Sequence, residues 1–139
     1  LGIDVDRVPG AGAAGGLGAG SLAFMGGTLV RGIDAILDLT DADQLFCQAD
    51  WVVTGEGCFD QQSLQGKVVQ GVTSRARVHG ARVAVIAGDV RIDEVVWRDA
   101  GIETVISLSA LSGAITHAME EPEFWLKKTG RDLLAAIMS

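Results

Sequence analysis

The sequence predicts a three-layer α/β/α fold on a mainly parallel, doubly wound sheet. Continuous apolar runs stand at WVV (51–53), RVAVIA (82–87) and TVISL (104–108), and such runs mark strands buried on both faces. Segments with apolar residues at helical spacing separate them. Strands alternating with helices make a parallel sheet the expected arrangement.

Size and charge narrow what that sheet can do. The 139 residues suit one α/β unit spanning 1–139, and 48% apolar residues against 21% charged ones describe a soluble chain able to bury a core. With 18 acidic and 11 basic side chains the net charge is −7. Such a surface repels phosphate backbones and anionic lipid, so nucleic acid and membrane are not expected partners. No apolar run approaches the roughly 20 residues of a membrane span, and no signal-like segment opens the chain, so a cytoplasmic location is expected. Cys47 and Cys58 stand apart from any CxxC or Cys/His grouping and read as reduced thiols. The chain opens on Leu1, inside what reads as an ongoing fold, and a fragment is the expectation.

Taken in order, residues 1–8 alternate weakly, with Ile3, Val5 and Val8 against Asp4, Asp6 and Arg7, and predict an extended edge segment ending at Pro9. Residues 9–20, PGAGAAGGLGAG, hold six glycines and four alanines. Gly10, Gly12 and Gly15 spell GxGxxG, but Asp6, Arg7 and Pro9 stand where a dinucleotide site needs an apolar strand, which excludes that reading. Two others survive. One is a backbone anion cradle opening a helix over 13–25. The other, placed ahead, is a helix whose missing side chains allow close packing, since each helical Gly costs up to about 1 kcal/mol and needs compensation.

Gly26 and Gly27 end that helix. Ile33, Ile36 and Leu37 mark a short second helix, and Leu45 and Phe46 anchor a further helical turn within 41–49. After the strand at 51–53, residues 54–66 read as a loop. A helix over 66–79 carries Val68, Val69, Val72 and Ala76 on one face. The strand at 82–87 is turned by Gly88 and Asp89, a helix covers 92–99, and a third strand covers 104–108. Helices over 112–119 and 123–138 close the chain, the last with a stripe of Leu126, Leu133, Leu134 and Ile137. Trp51, Trp97 and Trp125 read as core or interface anchors, and the isolated His79 and His117 as helix-surface or capping residues.

Ligands of parallel sheets bind at the carboxyl ends of the strands. The loops at 54–66 and 88–91 qualify, and the first is richer in functional groups. Glu56 and Asp60 supply carboxylates, Thr54, Gln61, Gln62 and Ser63 supply hydrogen bonds, and Lys67 stands near the next helix. Carboxylate oxygens hold Mg²⁺ or draw a proton from a hydroxyl, and an ammonium balances phosphate charge, so the set fits phosphoryl transfer. Helix capping accounts for Asp60 and Ser63 equally well, and a solvated helix face for Lys67.

PGAGAAGGLGAG at 9–20 and VVTGEG with D, QSLQGK at 52–67 resemble the two signature stretches of the bacterial glycerate kinase family. They stand in the family's order and spacing, VAVIAGDV (83–90) is also similar, and the likeness covers essentially the whole chain. The resemblance implies transfer of the ATP γ-phosphoryl group to D-glycerate, giving 2-phosphoglycerate, with Mg²⁺, in glyoxylate and glycerate catabolism. It implies that Asp60 activates the glycerate hydroxyl or holds Mg²⁺, and that Glu56 meets the metal or substrate hydroxyls. Lys67 then balances phosphate charge, Thr54, Gln62 and Ser63 bind substrate or phosphate, and Gly10, Gly12, Gly15 and Gly16 form the cradle. The chain resembles the C-terminal portion of a two-domain kinase, without its N-terminal phosphate-site segment. Expected partners are D-glycerate, ATP, and either the missing portion or a second copy.

Two residues depart from the pattern. Cys58 stands where the family usually has Arg, losing a bidentate cation, and Ser63 replaces Thr while keeping the hydroxyl. Three function classes follow: part of a glycerate kinase, a non-catalytic glycerate- or nucleotide-binding module, or a self-associating structural fragment.

Overall fold

β2 (Arg82–Val90) is the middle strand of a three-stranded sheet in a computed structural model that describes residues 4–138. It pairs in parallel with β1 (Trp51–Phe59) on one side and β3 (Thr104–Ser107) on the other. Trp51 lies opposite Arg82 and Phe59 opposite Val90, while Ala84 to Ala87 pair with Thr104 to Ser107. Side chains alternate across a strand, so the continuous apolar run of β2 serves both faces.

On one face Val83, Val85 and Ala87 share a core with Val69 and Ala76 of α4 (Val68–Val78) and Trp97 of α5 (Glu94–Asp99). Leu37 of α2 (Gly32–Leu39) and Phe46 of α3 (Ala42–Phe46) join the same core. The other face, with Ala84 and Ile86, is covered by α6 (Leu108–Ser112), α7 (Ile115–Glu120) and α8 (Pro122–Met138), which bury Leu108, Ala118 and Leu133. The three-layer arrangement predicted from the alternation is therefore present. Phe59, Val69, Val83 and Val85 are fully buried, each worth about 1.5–3 kcal/mol of transfer free energy.

The boundaries differ from expectation where glycine was read as a turn. β1 continues past Val53 through Gly55 and Gly57 to Phe59, and β2 continues through Gly88 to Val90. A Cβ on Gly55 would lie 2.1 Å from the Ile86 carbonyl oxygen, and one on Gly88 would lie 2.5 Å from that of Gly57. These glycines let two backbones close together within the ladder, a use of strand Gly that composition does not distinguish from a turn. β3 stops one residue early because the Ser107 hydroxyl accepts from the Ala110 N–H and caps α6.

The Gly-rich segment combines a turn and a packing surface. α1 (Ala13–Met25) opens with Ala14, Gly15 and Gly16 in the left-handed region, at φ 51°, 66° and 92°, so its first turn is not the right-handed helix predicted. Within the right-handed part a Cβ on Gly18 would lie 2.6 Å from the Gly10 carbonyl oxygen, and the Ala19 N–H donates to Ala11 over 2.8 Å. Close packing is realised at Gly18. Residues 5–8 form a turn, with the Val8 N–H donating to the Val5 carbonyl, instead of an extended edge; residues 1–3 of that predicted segment lie outside the described ones.

Several apolar stripes are narrower than their sequence pattern. Leu45, Val68, Leu126 and Leu134 are largely exposed, and the neighbouring Phe46, Val69 and Leu133 carry the burial. Of the tryptophans Trp97 is buried, and the guanidinium groups of Arg82 and Arg98 lie over the Trp51 and Trp97 rings.

Candidate active site

The carboxyl end of β1 places Thr54, Glu56 and Cys58 on one face, half-buried, and Val53, Gly55 and Gly57 on the other, exposed. Glu56 Oε1 is buried without a hydrogen-bond partner among the described residues. An unpaired buried carboxylate oxygen is costly, and a cation or a hydroxyl donor relieves that cost. Beside this strand end, chiefly along the opposite face, runs a cleft of about 760 Å³ whose lining includes Thr54 and Glu56 together with Val53, Gly57, Ile86 and Leu108. Its walls are mainly apolar, so its size does not make it a phosphate site.

Past Phe59 the chain makes a 3-10 turn over Gln61–Leu64, and Asp60 caps it. Asp60 Oδ1 accepts from the Gln62 N–H at 2.8 Å and the Ser63 N–H at 3.3 Å. The Ser63 hydroxyl accepts from the Asp60 N–H at 3.1 Å, completing a reciprocal box. Ser63 is fully enclosed. The capping reading of Asp60 and Ser63 is thus realised, and it engages one carboxylate oxygen: among the described residues Oδ2 takes no hydrogen bond. Lys67 is exposed at the N-cap of α4, and its Nζ donates to Gln62 Oε1 at 3.2 Å.

The end of β2 and the residue that follows it add two groups, Asp89 and Arg91, that sequence reasoning left as loop. The Arg91 N–H donates to the Phe59 carbonyl at 2.8 Å, fixing the end of β2 beside Asp60. Arg91 Nε donates to Asp89 Oδ2 at 2.8 Å, and the Ser109 hydroxyl donates to Asp89 Oδ1 at 2.7 Å. Asp89 lies opposite Cys58 in the ladder. The Ser109 and Arg91 hydrogen bonds hold the Asp89 carboxyl below its ordinary range. The Asp89 hydrogen bond raises the Arg91 guanidinium further above its ordinary value, and the nearby Cys58 and Asp60 add to this. The signal in the sequence was the DVR run directly after IAG.

The structure therefore joins Thr54, Glu56, Asp60, Gln62, Ser63 and Lys67 along one strand and the turn that follows it. It does not bring the Gly-rich turn to them. Gly12 and Gly16 border a separate cleft of about 260 Å³ with Val5, Asp6 and Val8, and none of its lining residues belongs to the strand end. Of the four glycines expected to form the cradle, Gly16 already spends its N–H on the Gly12 carbonyl at 3.3 Å. Among the described residues no group of three or more His, Cys, Asp or Glu side chains is placed to hold a metal. Mg²⁺ commonly takes only one or two carboxylates and completes its shell with water and phosphate oxygens, so Glu56 and the free oxygen of Asp60 fit it.

A parallel α/β sheet with carboxylates, hydroxyls and cations gathered at its strand ends is the arrangement in which ligands bind beyond the carboxyl ends of the strands. The sequence profile of the glycerate kinase family matches residues 1–138, and the chain belongs to that family. A glycerate kinase of Halalkalibacterium halodurans is 38% identical over 96% of this chain and 35% of its own length. The glycerate 2-kinase of Escherichia coli strain K12 is 35% identical over 99% of this chain and 36% of its own length. A crystal structure described as a glycerate kinase 2 from Salmonella typhimurium LT2 superposes with a TM-score of 0.64 at 32% identity, covering 99% of this chain and 36% of that one. The chain spans about a third of the length of the relatives it matches, corresponding to their C-terminal portion. No helix among the described residues is long and apolar enough to cross a membrane.

Proposed function

We propose that this chain is the C-terminal portion of a kinase that transfers the γ-phosphoryl group of ATP to a hydroxyl of D-glycerate, giving 2-phosphoglycerate. The observation that carries the reading is Glu56 Oε1, buried and unpartnered in the GEG signature of a glycerate kinase family member. When bound, Mg²⁺ would neutralise charge on the transferring phosphoryl group. Glu56 and Asp60 would hold that ion, or Glu56 the glycerate hydroxyls. Asp60 keeps its outer oxygen free to draw the hydroxyl proton, because its inner oxygen is fixed by the two N–H donors of the capped turn. Lys67 and Arg91 supply positive charge, with Arg91 standing in for the cation that Cys58 does not provide. Residues 9–20 contribute to the nucleotide half of the site through the protein's remaining portion.

The test measures D-glycerate-dependent ADP release by the full-length protein containing this chain. The expected result is turnover that Asp60→Asn lowers by roughly 10²–10⁴-fold, the usual worth of a positioned acid or base. Unchanged turnover in Asp60→Asn would remove Asp60 from the chemistry. Calorimetry with Mg·ATP and with glycerate on this chain alone separates a silent binding module from a chain needing its other portion to bind.

A further inference from the structure

A second polar constellation stands at the opposite end of the sheet. Cys47, at the C-cap of α3, and His79, at the C-cap of α4, meet with Sγ 3.0 Å from Nδ1. The other ring nitrogen, Nε2, lies 3.1 Å from Asp43 Oδ1, and Asp43 Oδ2 accepts from Arg75 at 2.7 Å. Arg75 in turn donates to Asp38 at 2.5 Å. Cys47 is exposed, and it shares with His79 an open cleft of about 690 Å³ whose other walls include Gln48, Asp50, Trp51 and Arg82.

The hydrogen-bond arithmetic fixes the roles. Asp43 is held as a carboxylate: burial pushes its carboxyl up, but the hydrogen bonds and charges of His79 and Arg75 outweigh that and leave it below its ordinary value. A carboxylate only accepts, so Nε2 donates to Asp43, and with a single ring proton placed there Nδ1 is the acceptor. Nδ1 then presents its lone pair to the thiol. This is nucleophile, base and orienting carboxylate in sequence, the arrangement by which a cysteine is activated. With both ring nitrogens engaged, His79 has none left for a metal, and Arg82 is bound to Glu103 and lies over Trp51.

We propose that Cys47, His79 and Asp43 form an activated-thiol site that takes small disulfides by thiol–disulfide exchange. His79 Nδ1 accepts the Cys47 proton, and the thiolate attacks one sulfur of the disulfide. An Sγ–S bond forms and the original S–S bond breaks. The displaced sulfur leaves with the electron pair and takes the proton back from His79. Cys47 is oxidised to a mixed disulfide, and half of the reagent is reduced to a thiol. A disulfide suits this cleft because its charge stays on sulfur throughout, so no oxyanion donors are needed, and Gln48, Asp50 and Arg82 make the walls polar.

The test uses the 139-residue chain with two probes, iodoacetamide and oxidised glutathione, and reads Cys47 and Cys58 separately by mass spectrometry. At neutral pH folded Cys47 is expected to alkylate roughly tenfold faster than the same thiol in urea-denatured chain, as thiols paired with His do. It should also form the mixed disulfide ahead of Cys58. His79→Gln should abolish the advantage, and Asp43→Asn should reduce it, in variants whose circular dichroism matches the parent. Folded Cys47 reacting no faster than denatured Cys47 would overturn the proposal without any variant. Fast alkylation with no mixed disulfide would overturn the assignment of the electrophile.

Discussion

The two ends of β1 carry polar clusters of opposite construction. At the carboxyl end Thr54, Glu56, Asp60, Gln62, Ser63 and Lys67 follow one another along a strand and the turn it feeds. At the amino end the partners stand 32 and 36 positions apart and meet only because α3 and α4 end side by side. A cluster built from consecutive residues reflects local geometry and shows in the sequence as a motif. A cluster built by helix packing reflects topology, and it leaves no pattern along the chain.

The comparison also assigns different stabilising elements to each end, which can be separated. Phe59, wholly buried where β1 enters the capped turn, supports the carboxyl end. Phe59→Ala is expected to cost about 3–5 kcal/mol in urea unfolding, the range for large-to-small aromatic substitutions in a core. In the still-folded protein it should leave Cys47 alkylation unchanged. A parallel loss of Cys47 reactivity would show that the two ends are one cooperative unit.

Gly88 gives a smaller and more local test. Gly88→Ala sets a Cβ against the Gly57 carbonyl and is expected to cost about 1–3 kcal/mol as overpacking. Gly57→Ala, whose Cβ meets nothing within 4 Å, should cost well under that. Equal effects in urea unfolding would mean that the close approach of β1 and β2 is not a constraint.

The smallest expected effect is on acid stability. Asp89 is held below its ordinary 3.8 by the hydrogen bonds of Ser109 and Arg91. At the other end Asp43 is pushed up by burial but drawn lower by His79 and Arg75. A carboxyl whose folded value is depressed binds fewer protons folded than unfolded above that value. Its contribution is therefore complete above the ordinary value and is lost as pH falls through the folded one. Urea midpoints should decline below about pH 4, and Asp89→Asn should flatten part of that decline while leaving the Asp43 part. An unaltered profile would remove Asp89 from the acid response.

Much of the fold was legible because burial writes itself into composition. The VAVIA run declared a strand buried on both faces, and the helix-period segment at 66–79 declared the crossover that leads to it. The extension of β1 through Gly55 and Gly57 was not legible, since a glycine that permits close backbone approach looks the same as one that permits a turn. The capping box at Asp60 and Ser63 was legible as one of two readings, because a cap and an acid at a strand end require the same residue type. Asp89 and Arg91 were passed over, as their partners Ser109 and Phe59 come from other elements. His79 read as a helix-surface or capping residue, and it does stand at the C-cap of α4, but its ring partners were not legible because both are remote in sequence.

The order β1-β2-β3 has a consequence for how the sheet ends. Among the described residues β2 is paired on both sides, while the nine residues of β1 and the four of β3 are each paired on one side only. Along a border strand the outward-turned amide and carbonyl groups have no ladder partner, and an added strand is the structure that completes them. The long border offers more than twice the length of the short one. A strand added on the β1 side would lie alongside the residues that carry the signature.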